Sequence, residues 1–96
     1  MPGYRISVEA ERDIDEIAAY TTDMWGWRQT HVYIAKLEDA FELLAHSPAI
    51  GRASNSMHPD IRKFEVAKHV VFYLSDPEGI LIVRVLHHRM IPNNYI

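Results

Sequence analysis

Arg62, Tyr73, Arg84, His87, His88 and Arg89 carry the side chains with which a metal-independent ribonuclease works. Cleavage by 2′-hydroxyl attack needs a general base, a general acid and cations for the developing charge, and His, Tyr and Arg supply all three. Charge and parity oppose that reading. The chain holds 10 Lys and Arg against 13 Asp and Glu, a net charge of −3, whereas docking of RNA draws on a basic surplus. Side chains alternate along a strand, so His87 falls on the face opposite Arg84 and His88. The plainer alternative gives Arg84 a salt bridge to an acidic residue and makes His87 a hydrogen-bonded residue closing a strand. Six His invite a metal, but His87 and His88 point to opposite faces of a strand and cannot chelate one ion together. No Cys and no helical His pair accompanies them, so neither metal nor cofactor is expected.

The elements that must position these groups are legible in the apolar spacing. Residues 80–89, Ile-Leu-Ile-Val-Arg-Val-Leu-His-His-Arg, form a strand too apolar for a sheet edge. Alternation puts Leu81, Val83, Val85, His87 and Arg89 on one face, and Ile80, Ile82, Arg84, Leu86 and His88 on the other. A short strand over Tyr4 to Val8 opens the chain, and Ser7 can cap a helix over 8–24 with Glu9 and Glu11 in its first turn. Gly26 breaks that helix, and a second spans 27–46 until Ser47-Pro48 stops it. Ile14, Ile17 and Trp25 continue the core stripe of the first helix, and Leu37 and Phe41 that of the second. Leu37 and Phe41 should face Phe72, Val83 or Val85, while Trp27 lies off its stripe and suits an exposed anchor. After a loop rich in Ser, Asn, Gly and Pro, three strands follow at hairpin spacing, over 61–66, 69–75 and 80–88. The tail 91–96 is too short for a further element.

The expected fold is α+β, ordered β-α-α-β-β-β, with a helical hairpin on one face of a four-stranded, mainly antiparallel sheet. The first strand should join the sheet beside the last, and the open face should carry Arg5, Ser7, Tyr73, Arg84 and His88. A chain of 96 residues is expected to be one domain, over 1–96. No basic start followed by an apolar run suggests a leader, and no apolar stretch nears the ~20 residues of a membrane span. A cytoplasmic protein is the expectation. Acidic residues crowd the first quarter, from Glu9 to Asp23, whereas Arg62, Lys63, Lys68, Arg84 and Arg89 fall late.

Several short motifs, in order, resemble the ParE branch of the RelE/ParE toxins of bacterial toxin–antitoxin pairs. They are Ala10-x-x-Asp13-Ile14-x-x-Ile17, Trp25-Gly26, and Tyr33, Leu37 and Phe41, followed by Pro48-x-Ile50-Gly51-Arg52. The sheet adds Ile61-Arg62, His69-Val-Val-Phe-Tyr73 and Arg84-Val-Leu-His87-x-Arg89. The resemblance implies a toxin of the same fold, held inactive by a ParD-like antitoxin whose C-terminal segment wraps it, with DNA gyrase as target through protein–protein contact. It implies no catalysis, and the ribosome-dependent mRNA endonucleases of the RelE branch are the alternative. It singles out Asp13, Gly51, Arg52 and His87 as motif positions, and Asp13 could pair with Arg52 or Arg62. Antitoxin or target contacts are expected at Trp27, Arg62, Tyr73, Arg84 and Arg89. An amphipathic antitoxin helix should set acidic residues opposite the three arginines and apolar anchors near Trp27 or Tyr73.

Overall fold

A computed structural model of the protein describes residues 3–54 and 58–90. The chain starts with strand β1 (Gly3–Ile6), and Ser7 turns it into helix α1 (Val8–Trp25). The Ser7 hydroxyl accepts from the Ala10 N–H at 3.0 Å, as an N-cap does. The same hydroxyl donates to the Val83 carbonyl and the Ser7 N–H donates to that of Ile82, so one residue caps the helix and joins it to the last strand. Gly26, at φ 89°, reverses the chain into helix α2 (Trp27–His46). Thr22 and Thr30 close that turn with a hydroxyl–hydroxyl bond of 2.7 Å.

A 3₁₀ turn (Pro48–Ile50) leads to strand β2 (Arg52–Ala53), then β3 (Arg62–Val66), β4 (His69–Asp76) and β5 (Gly79–His87), and a second 3₁₀ turn (His88–Met90) follows. The sheet has five strands in the order β1-β5-β4-β3-β2, one more than expected, because Arg52 and Ala53 pair with Lys63 and Arg62. β1 lies beside β5, as expected, and parallel to it, while the other pairs are antiparallel. That pairing begins at Gly3 and Gly79. Gly79 sits at φ 137°, and the carbonyl of Gly3 occupies the space where a Cβ would stand. The expectation for the tail lies outside the described residues.

Leu37, Phe41 and Leu44 are buried on the sheet, as the helical stripe required. They pack with Val71, Tyr73, Ile80, Ile82 and Val85, while Ile61, Val70, Phe72 and Leu86 form a second cluster. Simple alternation fails here, and the cause is a β-bulge. Phe72 pairs with Arg84 and Tyr73 with Ile82, which leaves Val83 as an extra residue and resets the facing of β5. Of the expected partners of Phe41, only Val85 shares its cluster; Phe72 and Val83 belong to the other. Tyr73, expected on the open face, is 0% exposed in the helix-side core. Trp25 corrects a second expectation, since it is 65% exposed. It is the last residue of α1, where the apolar stripe has outrun the surface it packs on.

Candidate functional site

Two motif positions turn out to be structural. Asp13, on the sheet side of α1, accepts from Arg84 Nε at 2.8 Å and from Nη2 at 3.0 Å, a forked pair. Its Oδ2 also accepts the Val85 N–H at 2.9 Å, just past the bulge. The carboxylate side chain is 10% exposed and the guanidinium 28%. The hydrogen bond to Asp13 pushes the Arg84 pKa up further. Asp13 therefore pairs with Arg84, in place of the Arg52 or Arg62 expected. Arg52 instead meets Glu65 at 3.1 Å on the surface. Arg62 Nη1 donates to the Gly51 carbonyl at 2.7 Å.

The second structural point is Tyr73. Its hydroxyl donates to the Pro48 carbonyl at 2.6 Å and accepts the Gly51 N–H at 3.0 Å. Burial pushes the phenol's pKa up. A Cβ at Gly51 would collide with the phenol, which explains a glycine at an ordinary φ of −72°. Tyr73, Gly51 and Arg62 thus pin the loop after α2 to the sheet. Of the residues expected to touch partners, Trp27 and Arg89 are exposed, Arg62 and Arg84 are half-buried in internal bonds, and Tyr73 is buried.

The accessible concavity lies between the two helices and the β3–β4 turn with the end of β5, a groove of about 770 Å³. Ile17, Val85 and Leu86 supply apolar lining, and Tyr20, Trp25 and Met90 stand exposed by 64%, 65% and 41%. Large apolar side chains this exposed around one groove on a small protein mark a binding surface. Asp13 and Glu16 line it from α1, and Lys36, Lys68, His69 and His87 line its basic part.

A ladder of rings starts in the basic part of this groove, which Tyr33, His69 and His87 line. The Tyr33 hydroxyl bonds His69 Nδ1, His69 meets His87 edge-on at 5.3 Å, and His87 stacks on His88 at 4.4 Å. The stacking corrects the expectation that His87 and His88 face apart: β5 ends at His87, and His88 starts a 3₁₀ turn. Burial, then the neighbouring His87, His88 and Lys68, pushes the His69 pKa down to about 4. Burial, then His88, Arg89 and Lys68, lowers that of His87. Among the described residues no group of His, Asp or Glu is arranged to hold a metal. Sequence reasoning missed Tyr20, Met90 and the ladder. The exposed Tyr20 and Met90 carried no motif, and the ladder depends on where β5 ends.

Residues 4–92 match the model of the ParE toxin of type II toxin–antitoxin systems, parDE. The chain is 39% identical to Toxin ParE1 of Mycobacterium tuberculosis over 91% of its own length and 90% of the relative's. It is 36% identical to Toxin ParE of Escherichia coli, over 94% and 88% respectively. Its fold superimposes on a chain of the chromosomal ParDE system from P. aeruginosa with a TM-score of 0.77 at 16% identity, covering 91% of this chain and 96% of that one.

Proposed function

This chain belongs to the ParE toxin family of type II toxin–antitoxin systems, and from that premise we propose that it is a growth-inhibiting toxin, silenced by a ParD-like antitoxin and acting on DNA gyrase by protein–protein contact. The observation that carries the antitoxin part is the groove, with Tyr20, Trp25 and Met90 standing out of it on a chain of 96 residues. An amphipathic segment that folds on docking would bury those side chains between helices and sheet. Trp27 and Arg89 present exposed side chains and remain as contact residues for antitoxin or target. The gyrase part rests on the family resemblance. Among the described residues no helix is long and apolar enough to cross a membrane.

The non-enzymatic reading is supported by how the ribonuclease candidates are employed. Arg84 holds Asp13, Arg62 holds the Gly51 carbonyl, and the Tyr73 hydroxyl both donates and accepts inside the fold. Groups committed in this way offer little to a scissile phosphate. Expression without antitoxin should arrest growth with mRNA intact, and the purified chain should inhibit supercoiling by gyrase. Site-specific mRNA cleavage in a translating extract, with supercoiling unaffected, would replace this reading with the endonuclease.

A further inference from the structure

Lys68, His69, His87, His88 and Arg89 cluster around the ring ladder, and among the described residues no carboxylate forms an ion pair with any of them. The carboxylates lining the same groove are Asp13 and Glu16 from α1. Asp13 is already taken by Arg84 and the Val85 N–H. From α2, Tyr33 offers His69 a hydroxyl and Lys36 lines the groove as a further cation. A surface that gathers this much positive potential beside an apolar trough is complementary to a segment bearing negative charge.

The ring nitrogens add detail. The Arg89 N–H donates to His87 Nδ1 at 3.1 Å, so the proton of neutral His87 sits on Nε2. His88 Nδ1 donates to the Lys68 carbonyl at 3.0 Å, and the His88 backbone N–H donates to the same oxygen at 2.9 Å. A second proton on His87 would cost it the Arg89 bond. On His88 it would go to Nε2, which has no partner among the described residues, and no bond would be lost.

We propose that the antitoxin segment filling the groove sets a carboxylate against the stacked His87–His88 pair, and that the pair takes up one proton as the complex forms. This rests on the groove being the antitoxin site. In the free toxin burial and neighbouring cations hold His87 neutral. A docked carboxylate reverses that balance: His87 donates Nε2–H to it and His88 carries the added charge. Because the complex then binds more protons than its parts, affinity must rise as pH falls through the pKa the pair has in the complex. The gain levels off below the pKa it has in the free toxin. The partner is thus specified as an apolar segment with an Asp or Glu in register with His87.

The test is calorimetric titration of this chain with the product of the adjoining antitoxin reading frame, at about pH 7.5, in Pipes and in Tris, whose protonation heats differ widely. The expected result is a buffer-dependent heat equal to uptake of up to one proton, and a Kd that tightens by up to about tenfold per pH unit between about pH 8 and about pH 6. His88→Gln should abolish both effects with unchanged melting of the free toxin. Equal heats in the two buffers, or proton release, would overturn the proposal without using any variant. So would uptake that persists undiminished in His88→Gln. Trp25→Ala separates premise from proposal. If it weakens binding about tenfold or more while heats stay buffer-independent, the groove stands and the carboxylate falls. If it leaves binding intact, the groove is not the docking site and the proposal falls with it.

Discussion

Asp13, bound to Arg84 and the Val85 N–H, and the His87–His88 pair both meet the C-terminal end of β5, and they are organised in opposite ways. Around Asp13 two guanidinium nitrogens and a backbone N–H converge on one nearly buried carboxylate. Around His87 cations and imidazoles converge, and among the described residues no carboxylate forms an ion pair with it. The first cluster is closed, and its polar groups serve the geometry of the bulge. The second is open, and burial and crowding by its neighbours lower the pKa values of His69 and His87, which disfavours charge on those rings. The difference shows how a chain this short combines stability with recognition. Internal networks absorb Asp13, Arg62, Tyr73 and Arg84, and the surface left for a partner is built around rings and cations that form no ion pair among the described residues.

The comparison can be broken from its closed side first. Asp13→Ala removes the carboxylate that Arg84 and the Val85 N–H share, and should destabilise the fold by about 3 kcal/mol or more, read by chemical denaturation. A change near zero would mean that the cluster is ornamental. Tyr73→Phe keeps the ring but strips the Gly51 N–H and the Pro48 carbonyl of their partner, for about 2 kcal/mol by the same measurement. Acid gives a third, graded effect. His69 takes up its proton near 6.5 when unfolded but only near 4 when folded, so between those values the unfolded chain holds more protons. Stability should therefore fall as pH drops through that window, and His69→Gln should flatten the melting temperature against pH. The smallest change in stability belongs to the open side. Trp25→Ala should move the free toxin by less than about 0.5 kcal/mol, while weakening its antitoxin complex by about 2 kcal/mol.

Helices were readable from sequence because a 3.6-residue apolar period needs no knowledge of distant residues, and the ends of α2 fall where Gly26 and Ser47-Pro48 put them. Leu37 and Phe41 were placed in the core by the same logic. β5 was recognisable as an interior strand by its composition, but the facing of its residues was not. One bulged residue, Val83, defeats alternation, and nothing local announces it. The partner of Asp13 lay 71 residues away, a distance at which spacing carries no information. β4 alternates regularly, and the open face expected of Tyr73 failed because alternation does not say which face meets the helices; Trp25 failed because a helical stripe does not say where its support ends. Trp27, read as off its stripe, is exposed at 62%.

The parallel pairing of β1 with β5 has a consequence in time. The first strand has its partner in residues 79–82, beyond both helices and three further strands. Throughout synthesis β1 therefore waits without its neighbour, and Ser7 cannot reach the carbonyls of Ile82 and Val83 that tie α1 to the sheet. Contacts of such long sequence separation form late and slowly. A chain that has made only the helical hairpin lacks the groove, whose lining includes Val85 and Leu86. The groove is completed only once β5 has been made, so partner capture must wait for that strand.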